Sequence, residues 1–138
     1  MTKFTLVKQE LTKEEIGTFQ EEINLKLPES YIEHMLKFNG GAPDNKYFNS
    51  GYGIAHFNAI KYGKYPLEKI VKDSKDYLPE KYFPFAYDAG DNDFCIDLSE
   101  ENYGKVYFIH GDEPDDPEFL ANSFEEFLEG LTDTKEDF

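Results

Sequence analysis

The sequence predicts an α+β fold: an antiparallel meander over residues 83–110, with helices near 13–23, 29–39 and 122–131 packed on it. Two observations carry this. Three runs in the second half alternate apolar and polar residues, as half-buried strands do, and short polar links join them. Two capping-box patterns, Thr12-x-x-Glu15 and Ser123-x-x-Glu126, each precede an apolar stripe of helical spacing. A chain of 138 residues fits one domain, 1–138, and can bury a core without disulfides or metal.

The elements follow in order. After the first capping box, Ile16, Phe19 and Ile23 recur at helical spacing, with Gln20 interrupting the stripe. Pro28 suits the first turn of a second helix, because its missing N–H would have no partner there. Tyr31, Ile32, Met35, Leu36 and Phe38 give that helix one broad apolar face, and His34 is expected at its surface. Asn39-Gly40-Gly41 can take the left-handed conformation that ends a helix. Residues 53–60 read as a strand, and 65–77 as a third helix with Leu67, Ile70, Val71 and Ser74 inward. In the meander, Phe83, Phe85 and Tyr87 are expected on one face. Phe94, Ile96 and Leu98 share a face too, as do Val106 and Phe108. Residues 110–120 read as a loop. Phe124, Phe127, Leu128 and Leu131 form the stripe of a closing helix, and the acidic tail from 132 is expected to fray.

Composition narrows the function classes. Phe and Tyr number 13 and 10 and Trp is absent, so phenylalanine rings should build the core. The one cysteine, Cys95, excludes an internal disulfide and fits a reducing compartment. No run of about 18 apolar residues exists. The first ten residues hold no long apolar stretch of the signal-peptide kind. The expectation is a soluble cytoplasmic protein.

Net charge is −15, with no arginine, and its distribution is uneven. Residues 1–87 hold 12 acids and 12 lysines; residues 88–138 hold 17 acids against Lys105 and Lys135. Such a surface repels nucleic acid and anionic membrane, and attracts a cationic partner. Gathering like charges costs stability through mutual repulsion, which points to a binding role rather than to solubility alone.

The stretch AYDAGDNDFCIDLS, residues 86–99, concentrates Asp88, Asp91, Asp93 and Asp97. Gly90, Asp91 and Asn92 are turn residues, so a hairpin loop accounts for most of the cluster. Metal binding is not expected. The EF-hand pattern fails, because Asp91-x-Asp93 is followed by Phe94 and Cys95. His34, His56 and His110 lie in separate elements without zinc-ligand spacing. Nucleophile and phosphate-loop motifs are absent, and Cys95 among carboxylates should hold its proton. A hydrolase using Asp91, Asp93 and His110 is a distant alternative. The loop HGDEPDDPEFL adds Asp112, Glu113, Asp115, Asp116 and Glu118. If the meander folds as read, these acids gather near one end of the sheet.

Four segments, in order, resemble one family. LPESYIEHMLKFNGG, FPFAYDAGDNDFCIDLS, GKVYFIHGDEP and SFEEFLEGL are similar to signature segments of the SUKH superfamily of Smi/Knr-type proteins. The similarity spans roughly residues 12 to 131. Departures are the lone Gly90 in its turn and the missing Trp. The resemblance implies a SUKH-like domain: a twisted, mainly antiparallel sheet flanked by helices. It also implies a non-catalytic immunity protein that binds and neutralises a polymorphic toxin domain. A basic nuclease is the expected partner, being the electrostatic complement of an acidic cap. The alternative is an intracellular adaptor of the cell-wall-synthesis-regulator type. No cofactor is implied, and the sequence leaves monomer and dimer both open. The candidate partner-binding residues are Tyr87, Asp88, Asp91, Asp93, Tyr103, Asp112, Glu113, Asp115, Asp116 and Glu118, with Tyr87 or Tyr103 as aromatic anchor.

Overall fold

The structure, a computed structural model, describes residues 2–49 and 51–133. In chain order the elements are β1 (Phe4–Thr5), α1 (Lys13–Ile23), α2 (Glu29–Lys37), β2 (Ala42–Pro43), β3 (Tyr47–Phe48), β4 (Tyr52–Gly53) and β5 (His56–Phe57). There follow α3 (Leu67–Ser74), β6 (Tyr82–Tyr87), β7 (Asp93–Asp97), β8 (Val106–Ile109), β9 (Glu118–Ala121), α4 (Phe124–Glu129) and β10 (Leu131–Thr132). The principal sheet is β5-β6-β7-β8-β9, antiparallel throughout. Two small ribbons, β1-β2 and β10-β3-β4, lie outside it. The predicted meander and helices are present, and the α+β class holds.

Local chemistry sets the helix ends. Thr12 Oγ1 accepts from the Glu15 N–H at 3.1 Å, and the Thr12 N–H donates to Glu15 Oε1 at 2.9 Å, so the capping box is complete. Gln20 interrupts the stripe because its side chain accepts from the Leu27 N–H at 2.8 Å and ties α1 to the start of α2. Helix α2 ends at an extended Phe38 rather than at a left-handed Asn39. Asn39 is instead buried, donating to the carbonyls of Gln9 and Ile60 and accepting from the Ile60 N–H. Gly41 then passes so close to β1 that a Cβ would lie 2.5 Å from the Thr5 carbonyl oxygen, at a φ of +100°.

One face of the sheet carries the core. Phe83, Phe85, Phe94 and Ile96 are fully buried there, under Phe19 of α1, Tyr31 of α2, and Phe124 and Phe127 of α4. Ring centroids lie 5.3 Å apart for Tyr31–Phe83 and for Phe85–Phe124, both edge-to-face. Such pairs contribute about 0.5–1.5 kcal/mol each beyond burial. The opposite face is thinly covered, by a small cluster of Leu78, Cys95 and Ile109 with Tyr82 packed on it.

Several expectations are corrected. The strand at 53–60 is cut to β4 and β5, which belong to different sheets; Asn58 follows β5 and holds to β6 by its N–H on the Phe85 carbonyl and its side-chain amide on the Pro84 carbonyl. The third helix is shorter than 65–77, although Leu67, Val71 and Ser74 do face inward. The supposed loop 110–120 becomes strand β9 from Glu118 onward. His34 is not at the surface: it is 8% exposed, ringed by Phe4, Phe38, Phe57 and Phe124. Burial pushes its imidazole down to about 4. Thr132 of the supposedly frayed tail pairs with Tyr47 in β10, while residues 134–138 lie outside the described ones.

Tyr87 does not share the face of Phe83 and Phe85. The ladder shifts register between Pro84 and Ala86, leaving Phe85 as the extra residue of a β-bulge. Beyond it Ala86 pairs with Phe94 on the core side. Tyr87 pairs with Asp93 and His56, and so turns to the opposite face.

Candidate binding cleft and acidic surface

The turn between β6 and β7 is built by Asp88. Its Oδ1 accepts from the N–H groups of Gly90 at 2.9 Å and Asn92 at 2.8 Å, and its Oδ2 from the Asn92 amide at 3.1 Å. Asp88 therefore spends its carboxylate on the turn. Asn92 Oδ1 accepts in turn from the Gly111 N–H at 2.9 Å. That bond docks the start of the 110–117 loop against the turn. Asp112, Glu113, Asp115 and Asp116, all exposed, thus stand on the same end of the sheet as Asp88 and Asp91. Glu118, the first residue of β9, accepts from the Tyr52 hydroxyl at 2.8 Å and meets His110 Nε2 at 3.1 Å.

Beside this end, on the thinly covered face, lies a cleft of about 560 Å³. Its lining includes His56, Tyr62, Tyr65, Tyr77 and Tyr87, with Lys8, Lys64, Asp73, Asp91 and Asp93 as its charges. The volume is that of a small-molecule or side-chain pocket. Tyr87, put here by the bulge, stacks on His56 with centroids 6.0 Å apart. The Tyr65 hydroxyl donates to Asp73. Lys8 lies over Gly63, and burial first, then the Lys8 charge, lowers the His56 imidazole. Asp93 is 9% exposed, and its Oδ2 accepts from the Tyr77 hydroxyl at 3.2 Å. Burial pushes its carboxyl up to about 6; the Asp88 and Asp91 charges add to this, and the Tyr77 bond opposes it. Cys95 holds its proton chiefly because it is buried, and only secondarily because of Asp93.

Comparison with known proteins places this geometry in a lineage. The sequence model of the SMI1 / KNR4 family (SUKH-1) matches residues 10–130. The chain belongs to the SMI1 / KNR4 family. It is also 33% identical over 97 residues to the SPbeta prophage-derived uncharacterized protein YokK of Bacillus subtilis (strain 168). That match covers 68% of this chain and 46% of the relative, so the chain spans about half the length of that protein.

In this SMI1 / KNR4 family chain the four signature-like segments build the middle of the sheet and two of its covering helices, and only the second, through Tyr87, Asp91 and Asp93, lines the cleft. The first supplies α2 and the Asn39 anchor, the second the β6–β7 hairpin, the third β8, and the fourth α4. Of the sequence-predicted site residues, Tyr87, Asp91 and Asp93 line the cleft, and Asp112, Glu113, Asp115 and Asp116 flank it. Tyr103 stands apart. It follows β7 at the far end of the sheet, where its hydroxyl donates to the Lys26 carbonyl at 2.6 Å. His56, Tyr62, Tyr65 and Tyr77 carry no sequence signal beyond tyrosine density around Lys61–Tyr65. Among the described residues no group of three or more His, Cys, Asp or Glu converges as metal ligands would. No helix among them is long and apolar enough to cross a membrane.

Proposed function

We propose that this SMI1 / KNR4 family chain is a non-catalytic immunity protein, acting in the cytoplasm as one domain to bind and neutralise a basic toxin domain, a nuclease being the best electrostatic match. The observation that carries the reading is the Asn92–Gly111 bond, which joins two acidic segments distant in sequence into one surface. Family membership supports it, since the family is generally one of non-catalytic immunity-type proteins. The hydrolase reading loses support because His110 is engaged by Glu118 rather than by Asp91 or Asp93.

Exposed acids act mostly on association rate, and buried contacts on complex lifetime. Replacing Asp112, Glu113, Asp115 and Asp116 together by Asn or Gln should slow association with the cognate toxin and flatten its salt dependence. Screening has a length of about 8 Å at physiological salt, so added salt should slow the wild type more than the variant. Surface binding kinetics across a salt series decide it. Equal rates for both proteins at every salt concentration would mean that this loop is not the steering surface and that its acidity is only solvation; no binding of the toxin by the wild type would return the chain to the regulatory-adaptor reading.

A further inference from the structure

We propose that the cleft beside the acidic end is a receptor for one cationic side chain, a lysine or arginine of the partner, held by Asp93 between Tyr77 and Tyr87. The identity of the donor as a partner protein rests on the binding function above; the cation site itself does not.

Asp93 is a nine-tenths buried carboxylate without a counterion among the described residues. Only its Oδ2 is hydrogen-bonded, to Tyr77, and the side chain lines the cleft. Burying an unpaired carboxylate is costly, and a cation arriving at Oδ1 removes that cost. The walls suit the same occupant. Tyr77 and Tyr87 offer aromatic rings to a cation and to the apolar stem that carries it. Asp88 and Asp91 add negative potential from the turn. Lys8 and Lys64 face the cleft from its other elements, Lys8 beside His56. Their charges oppose a cation elsewhere in the cleft, so binding depends on the contact with Asp93.

The site also couples to protons. Free Asp93 titrates near 6, so a cation that needs it ionised binds with release of a proton below that pH. The other titratable groups around it are Cys95, His56 and Tyr77, with Tyr62, Tyr65, Asp73 and Tyr87 also in the cleft lining. Burial holds Cys95 and Tyr77 protonated and His56 neutral at pH 7.5.

Nuclear magnetic resonance of the isolated, carbon-labelled protein tests this with n-butylammonium and methylguanidinium as probes, and n-butanol as the uncharged control. At least one cation should shift the Asp93 carboxyl resonance and the Tyr77 and Tyr87 ring resonances saturably below about 0.1 M, and n-butanol should not. Affinity should fall about tenfold from pH 7.5 to pH 5, following protonation of Asp93. Asp93→Asn, read at the Tyr77 and Tyr87 ring resonances, should abolish saturation. Tyr87→Leu, at an exposed position that leaves the core intact, should weaken it about threefold. Glu100→Gln, at the far end of the sheet, should leave it unchanged. Saturation that survives in Asp93→Asn, equal binding of n-butanol, or no saturation by either cation would each overturn the proposal. With the toxin in hand, Asp93→Asn should raise the dissociation rate by about tenfold or more. An unchanged dissociation rate, beside slowed association in the loop variant, would remove the cleft and keep the immunity function.

Discussion

Two buried residues, Asp93 and His34, respond to pH in opposite senses. Asp93 titrates near 6 in the folded chain, against an ordinary 3.8. Its folded form binds the proton more tightly, so its contribution to stability declines as pH rises from about 4 to 6. His34 titrates near 4 against 6.5, so its contribution grows as pH rises over nearly the same range. Each shift corresponds to about 3 kcal/mol at most, and the two nearly cancel. The joint contribution of the two should therefore be close to level between pH 4 and 6, and the slope left in the wild type comes from other groups, among them Glu15, held down to about 2 by its bonds to Lys61, Tyr62 and Thr12. Asp93→Asn removes one slope. The variant should be more stable than wild type at pH 7, by about 1–3 kcal/mol, and should lose that advantage on acidification as Asp93 of the wild type takes up its proton. Urea denaturation at pH 4, 5, 6 and 7 measures both curves. A variant less stable than wild type at pH 7 would mean that the Asp93 carboxylate supports the fold rather than burdening it. Asp93 was visible in the sequence as one of four aspartates. Its burial was not, because the cover comes from Tyr77, sixteen residues earlier and past the end of α3.

Among the elements, the capped helices were the most legible, because a cap is a contact between residues three apart in the chain. Thr12 and Glu15 close both bonds of the capping box, and Ser123 accepts from the Glu126 N–H while the Glu126 carboxylate takes the Asn122 N–H instead of that of Ser123. Asn39 shows the opposite case. Its sequence context reads as a helix terminus, yet its three hydrogen bonds reach Gln9 and Ile60 and close the chain around the base of α2. Asn39→Ala leaves the Ile60 N–H and carbonyl buried without that partner, each at about 1–3 kcal/mol. We expect a loss of about 2–4 kcal/mol, read from thermal or urea unfolding; a loss below about 0.5 kcal/mol would mean that another group replaces the amide. The bulge at Phe85 is the other element that alternation cannot show. One extra residue reverses every later side chain on β6, and so exchanges Tyr87 between the core face and the cleft.

For the molecule as a whole, the uneven charge is the dominant property. Asn92–Gly111 and the β7–β8 ladder hold the acids of 88–93 and 112–116 together, so the folded chain bears a repulsion that the extended chain relaxes. Added monovalent salt should therefore stabilise the wild type, by about 1 kcal/mol between low and physiological ionic strength. The four-fold loop variant should gain less from salt and be the more stable at low salt. Melting temperatures across a sodium chloride series test this, and a wild type indifferent to salt would mean the acids are already fully screened by water.

The sequence by itself determined the class of fold, the helix starts, the order of the meander and the sign of the charge. These depend on periodicity and on contacts between residues a few positions apart. Only the tertiary structure decided which carboxylate is buried, which face Tyr87 takes and which tyrosines surround it. Those facts depend on a bulge that changes register and on segments that meet across the sheet, and neither leaves a period in the chain.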